Sequence, residues 1–338
     1  MRILIIGGTG LISTGIIKHL HARGGGAEIS MLNRGQRENT LQSFGNIRHI
    51  SGDRNDLAAF EPAFQSERFD VVIDMICFTA QQAESDVRVF GNRCEHFIFC
   101  STVCTYGGEI PPHVVIDETF EQKPVSEYGR NKLACERIFL DAHAAKKLNA
   151  TIIRPSCTYG PGGRLIDNLE FDPPTWDRIE RGLPVLCSGD GMALWVATHR
   201  DDVGKLFAHA AGSAKTYGQS YNATRDENFT WRDFYREAAA AIGKPADVLF
   251  MPADWIVKHD AARFALLREI TRYHGAYSSA KAKRDVPEFR CEIDFRTGAA
   301  ETLADVRRRG IWRDGRGDAL YDAMVAKALE AGVEPVRV

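Results

Sequence analysis

Six short apolar runs separated by stretches of helical periodicity constrain this chain more than any other feature. The runs cover residues 3–6, 28–32, 47–50, 71–75, 96–100 and 151–153. Runs this short and unbroken suit strands buried on both faces of a parallel sheet, because neither face then needs polar residues for water. The intervening stretches 11–22, 57–65, 81–90 and 131–147 fit crossover helices. That order predicts an α/β fold built on a doubly wound parallel sheet. Further on, the pattern loosens into Pro- and Gly-rich connections at 160–163 and 172–174, and helical patterns return at 201–211 and 231–242. We expect a sheet domain over residues 1–160, with segments near 190–225 returning to it, and a smaller C-terminal lobe over most of 161–338.

The 338 residues are 44% hydrophobic, enough for a substantial core without disulfides or structural metal. Lys and Arg number 43 against 45 Asp and Glu, so no general field draws nucleic acid or an anionic membrane to the chain. The apolar N-terminal run breaks into glycines and is followed by neither a cleavage-site pattern nor a membrane-length span, and the expected location is the cytoplasm. The eight cysteines form no CxxC pair and are expected to be reduced, small hydrophobes. Cys100 and Cys104 lack companion ligands, and no metal site is expected.

The first run leads directly into Gly7-Gly8-Thr9-Gly10-Leu11-Ile12-Ser13, which opens the first helical stretch. Glycines at such a turn let the backbone approach a pyrophosphate, whose charge is met by the helix N-terminus. Gly7, Gly10, Leu11 and Ile12 are therefore candidate contacts of a dinucleotide. A second candidate pair is Tyr128 and Lys132, four residues apart and hence on one helix face. A nearby ammonium stabilises phenolate, bringing a tyrosine toward proton transfer. Tyr277 and Lys281 share the spacing, which we read as incidental.

These motifs, in this order, resemble the extended short-chain dehydrogenase/reductases, the superfamily that includes NAD-dependent epimerases and dehydratases. The resemblance implies a Rossmann-like sheet with a smaller C-terminal substrate-binding lobe. Ser13 stands where the family commonly has a third glycine. After the second strand, Asn33-Arg34-Gly35 offers no acid for the ribose hydroxyls that NAD-specific members hold. Arg34, helped by Arg37, instead suits a 2′-phosphate, so NADP is favoured over NAD. Gly52-Asp53-Arg54 resembles the family's turn at the adenine, making Asp53 and Arg54 further cofactor contacts. Ser101-Thr102 before Tyr106-Gly107 matches the Ser/Thr position, with Thr102 as catalytic residue and Ser101 as the alternative. Arg154-Pro155 and Tyr159-Gly160-Pro161 resemble the segment closing the nicotinamide pocket, and Arg154 joins the cofactor set. His199-Arg200-Asp201-Asp202-Val203 resembles a later His-x-x-Asp-Val segment, in which the histidine is read as structural. Glu118 resembles an acid common before the catalytic tyrosine, and helix capping or solvent exposure fits it equally.

The implied chemistry is hydride transfer to nicotinamide from a hydroxyl-bearing carbon. Tyr128 accepts the hydroxyl proton, Thr102 holds the same oxygen, and Lys132 holds the nicotinamide ribose. Many members grip a nucleoside diphosphate with a basic residue where this chain has Trp195, which cannot pair with phosphate as a guanidinium does. Arg164 or Arg181 is the candidate compensation. Three functions remain, in order: a sugar epimerase or dehydratase that recycles its cofactor, a simple dehydrogenase or reductase of a secondary alcohol or ketone, and an RNA-binding member of the atypical branch. The expected partner is a small sugar or sugar derivative, and nucleic acid fits poorly. The resemblance also implies a homodimer pairing through the helices near 81–90 and 131–147.

Overall fold

The computed structural model describes residues 1–24, 26–35, 44, 47–108 and 115–338. Its first half runs β1 (Arg2–Ile6), α1 (Leu11–Ala22), β2 (Glu28–Asn33), β3 (Arg48–Ser51), α2 (Leu57–Phe64), β4 (Phe69–Asp74), α3 (Ala80–Phe90), β5 (Cys94–Cys100), α4 (Glu127–Ala144) and β6 (Ala150–Pro155). The second half runs β7 (Cys157–Tyr159), α5 (Thr175–Glu180), β8 (Val185–Ser188), β9 (Leu194–Trp195), β10 (Ala197–His199), α6 (Arg200–Ala210), β11 (Ser220–Ala223), β12 (Phe229–Thr230) and α7 (Trp231–Ile242). It ends with β13 (Asp247–Met251), α8 (Ala253–His259), α9 (Ala280–Asp285), α10 (Phe295–Arg308), α11 (Ala319–Glu330) and β14 (Val336–Arg337). The expected parallel sheet is present, with seven strands in the order β11-β6-β5-β4-β1-β2-β3. The strand order reverses between β1 and β4, which is where a doubly wound sheet opens a crevice.

Successive residues of β1 show why the run is wholly apolar. Ile3 and Ile5 enter one core with α1 and α6, while Leu4 and Ile6 enter the opposite core with Phe60, Phe90 and Phe139. A two-residue period with both faces covered leaves no polar position. The later chain contributes more to this domain than the sequence indicates. Ala282 of α9, with Val286 and Phe289 after it, packs into the α1 core, and α9 lies against β11. The remaining elements surround a smaller sheet, β14-β13-β8, and two aromatic-rich cores. Among the described residues no helix is long and apolar enough to cross a membrane.

The crevice depends on a close crossing of α1 and α6. A Cβ on Gly15 would lie 2.4 Å from the Arg200 carbonyl oxygen, and one on Gly204 would lie 2.3 Å from the Gly15 carbonyl carbon. Neither neighbour is a flexible side chain, so the backbones themselves must part. Gly15→Ala should cost about 1–3 kcal/mol despite alanine's better helix propensity. Urea denaturation checks this, and a variant as stable as the parent would contradict the close crossing.

Candidate active site

Gly7 turns the chain from β1 into α1 at φ +85°, and a Cβ there would meet the Ile76 side chain at 2.7 Å. Gly10 then caps α1 without any side-chain hydrogen bond, leaving the first helical amides to whatever occupies the adjoining space. Ser13 fills the third small position and donates to the Gly7 carbonyl at 2.9 Å, tying the turn to the helix. This cradle lines two cavities. One, of about 240 Å³, includes Gly7, Gly10, Asn33, Arg34, Asp53 and Arg54. The other, of about 340 Å³, includes Gly7, Gly10, Leu11, Ile12, Thr102, Tyr128 and Lys132. A glycine turn beside an uncapped helix start and a divided cleft fits a dinucleotide, with the pyrophosphate at α1 and a nucleoside on either side.

Of the adenosine-side candidates, Arg34 and Asp53 are exposed, and Asp53 orders its own turn by accepting from the Asn55 amide at 2.9 Å. Asn33 accepts from the Gly35 amide at 2.8 Å and has a buried side-chain amide nitrogen without an acceptor among the described residues. Arg37 lies outside the described residues. Arg54 and Arg154, both expected at the cofactor, are each held by buried carboxylates; Arg54 still lines the adenosine-side cavity, whereas Arg154 is not among the described residues lining either cofactor-side cavity. The Arg54 guanidinium is buried and paired with Asp74 at 3.2 Å and Asp86 at 2.8 Å, over the Phe60 ring. Asp74, Cys77 and Asp86 do come together at metal-ligand range, but the cation among them is Arg54. Burial and the neighbouring Asp74 push the Asp86 carboxyl well above its ordinary value.

Arg154 sits in a second buried network. Its Nε and one terminal nitrogen donate to the two Glu136 oxygens at 2.9 and 2.6 Å, and the other terminal nitrogen donates to the Tyr106 hydroxyl at 2.8 Å. Tyr106 donates onward to Asn222 Oδ1 at 2.8 Å, while Ser101 and Gln122 donate to Glu136. Glu118 is half-buried and accepts from the Asn222 backbone amide at 2.7 Å, so it tethers β11. The Ser101 hydroxyl is thereby engaged with Glu136, so of these two adjacent hydroxyls Thr102 is the one not tied to that carboxylate. Sequence reasoning missed Glu136 and Gln122, since nothing local marks them.

Tyr128 stands in the first turn of α4, whose Ser126 cap accepts from the Gly129 amide at 3.0 Å. Gly129 lets this turn approach the Thr102 segment, because a Cβ there would lie 2.5 Å from the Cys104 carbonyl oxygen. Although 43% of Tyr128 is accessible, the packing around its phenol pushes it above its ordinary value, as do Cys100 and Cys104, while Thr102 works the other way. Lys132 is fully buried one turn on. Its Nζ donates to the Cys77 and Cys100 carbonyls at 2.9 and 2.8 Å, and lies 4.4 Å from the Phe78 ring centre. Two of three ammonium donors are thus used, and one remains for a ribose hydroxyl. Phe78, 43% exposed and lining both cofactor-side cavities, has no counterpart in the sequence reading. Tyr277 and Lys281 do not form a helical pair: Tyr277 stacks on Tyr106 and Lys281 lies over Tyr221.

A third cavity, of about 570 Å³, meets the nicotinamide-side cavity at Thr102, Tyr128, Ser156 and Thr158. Its walls are chiefly aromatic and aliphatic, and no lysine or arginine is among its described lining residues. Trp195 is buried here, stacked 4.8 Å from Trp231. Arg164 pairs with Asp172 at 2.6 Å and Arg181 with Asp177 at 2.7 Å, and neither lines the cavity. His199 caps α6 by accepting from the Asp201 amide at 3.3 Å, with its ring edge-on to Tyr159.

Comparison with known proteins adds the following. Residues 3–224 match the family described as the NAD dependent epimerase/dehydratase family. The chain is 26% identical to the 2′-dehydrokanamycin reductase of Streptomyces kanamyceticus, over 100% of this chain and 92% of that protein. Among solved structures, Pal from Bacillus thuringiensis superposes with a TM-score of 0.73 at 19% identity, covering 91% of this chain and 100% of that one. The UDP-glucuronic acid 4-epimerase of Bacillus cereus, solved with UDP-glucuronic acid and NAD, gives a TM-score of 0.70 at 18% identity and the same coverage.

Two outcomes test the geometry. Arg154→Met strands the Glu136 carboxylate and should cost about 3–5 kcal/mol in chemical denaturation, with Arg154→Met/Glu136→Leu recovering most of it. In the free protein, the phenolate absorbance difference between the parent and Tyr128→Phe should stay flat up to the ordinary tyrosine value of about pH 10. A signal developing below that value would refute the effect of burial on Tyr128.

Proposed function

This chain belongs to the NAD-dependent epimerase/dehydratase family of enzymes, and from that membership we propose that it interconverts a secondary alcohol and a ketone on a sugar-like molecule that carries no nucleoside diphosphate. The observation that carries this reading is the cavity at Tyr128, whose described lining includes no lysine or arginine. A diphosphate taken there would lose its water without gaining a cation. The full-length likeness to a reductase named for an oxidised aminoglycoside supports the same reading.

The residues divide the work by position. Gly7, Gly10, Leu11 and Ile12 hold the pyrophosphate with backbone amides at the start of α1. Arg34 and Asp53 flank the adenosine, and we propose NADP, because Arg34 suits a 2′-phosphate and β2 ends without an acid. The bound dinucleotide supplies or accepts the hydride. Thr102 holds the substrate oxygen, and Tyr128 gives it a proton in the reducing direction or takes one in reverse. Lys132 keeps an ammonium near the phenol, which favours the phenolate after that proton leaves. The segment between α8 and α9, with the chain around β7 and β9, completes the substrate cavity opposite Thr102 and Tyr128, and α3 and α4, which pack side by side, are the proposed contact between two copies.

The second reading, an epimerase or dehydratase that restores its cofactor each turnover, is favoured by the family description. Net turnover separates the two. With 2′-dehydrokanamycin as the ketone probe, stoichiometric loss of NADPH absorbance is expected. Conversion of a sugar without net loss would favour the second reading. Arg34→Ala should weaken NADPH binding about tenfold while leaving NADH nearly unchanged, a loss of about 1.4 kcal/mol. Equal effects on both cofactors would refute the NADP assignment.

A further inference from the structure

Between Leu267 and Thr271 the chain forms a π-helical turn, in which the Arg272 amide reaches back to the Leu267 carbonyl at 3.4 Å. Such turns widen a helix at a cost and recur at functional sites. Here the widened turn is secured from outside. The Thr271 carbonyl accepts from the Trp231 indole at 3.1 Å and from Asn168 at 3.4 Å, and the Thr271 hydroxyl donates to the Asn168 carbonyl. After the turn, Gly275 donates to the Leu194 carbonyl at 2.8 Å, and His274 Nδ1 accepts from the Leu194 amide at 3.0 Å. The whole turn is thus fixed to β9 and α7, and it brings Leu266, Glu269, Ile270 and Tyr273 to the cavity that contains Tyr128.

Glu269 is the single carboxylate among the described residues lining that cavity. Around it are Phe171, Trp195, Tyr273 and Tyr277, whose ring faces attract cations and cover the C–H faces of sugars. The indole N–H of Trp195 is buried beside the Cys157 thiol, so this residue meets the cavity with its ring. Glu269 is held by one competitor, Arg268, which donates to Oε1. That pair is between adjacent, partly exposed side chains, 43% and 35% accessible, and an exposed pair of this kind is worth about 0–1 kcal/mol and is readily exchanged.

We propose that the molecule reduced or oxidised at Tyr128 is an amine-bearing glycoside, docked with its ammonium on Glu269 and its ring faces on the surrounding aromatics. The assignment rests on the reading of this cavity as the substrate site. It deepens that reading: a lining without lysine or arginine among its described residues offers a cation a carboxylate, exchangeable from Arg268, and several aromatic side chains.

Calorimetric titration of the full chain, saturated with NADP⁺, tests this with four probes. These are kanamycin, its fully N-acetylated form, methyl 2-amino-2-deoxyglucoside, and the N-acetylated methyl glycoside. At least one free amine should bind about fivefold or more tightly than its acetylated partner, with the preference falling as salt rises. Glu269→Gln should remove that preference, Glu269→Asp should keep part of it, and Arg268→Ala, which frees the carboxylate, should increase it. Equal binding of free and acetylated forms, no binding of either amine, or an unchanged preference in Glu269→Gln would overturn the amine proposal. UDP-glucose binding more tightly than every glycoside would instead overturn the diphosphate-free reading on which it rests.

Discussion

The buried pairing of Arg154 with Glu136 is the interaction on which the site's arrangement depends. It joins the end of β6 to the middle of α4, and through Tyr106, Ser101 and Asn222 it reaches the end of β5 and β11. A charge pair in a dry interior is stable only when each lone pair and proton finds a partner, and here both carboxylate oxygens and all three guanidinium nitrogens do. Such a network permits few alternatives. Sliding α4 along the sheet by one residue would strand several buried groups together, so the register that sets Tyr128 beside Thr102 is specified by polar geometry as well as by packing.

The same network marks the boundary of what the amino-acid order reveals. The sheet was legible because burial on both faces leaves a local imprint, the unbroken apolar run, and the start of α1 was legible because a tight turn requires glycine at Gly7. Arg54 and Arg154 look, as letters, like any arginine near a nucleotide motif. Their partners Asp86 and Glu136 are distant in sequence, and the pairing becomes visible only when strands and helices are assembled. The Tyr128 and Lys132 spacing is a local signal, whereas the carbonyls of Cys77 and Cys100 that hold the lysine come from the loop after β4 and the end of β5. The π-helical turn carrying Glu269 is equally hidden, since its stabilising partners, Asn168 and Trp231, lie far along the chain. Packing of Ala282 and Phe289 onto the α1 core was invisible for the same reason.

Trp195 shows how one exchanged side chain redirects a wall. A guanidinium at this position would need neighbouring polar groups to remain hydrated or paired. The indole instead stacks on Trp231, which in turn closes a carbonyl of the widened turn. Aromatic lining, π-helical turn and carboxylate are thus mechanically one unit, and the character of the cavity follows from a stack of two rings.

The hold on Lys132 has a further consequence. Although α4 carries this residue, its ammonium is moored to the last residue of β5 and to the loop that follows β4, its neighbour in the middle of the sheet. Helices at a crevice can shift when a neighbouring lobe closes, while the middle of a parallel sheet hardly moves. The Lys132 ammonium is therefore held by backbone at the crevice edge of the sheet as well as by the helix that carries it. A shift of α4 would have to break both hydrogen bonds before it could carry this ammonium away from the sheet.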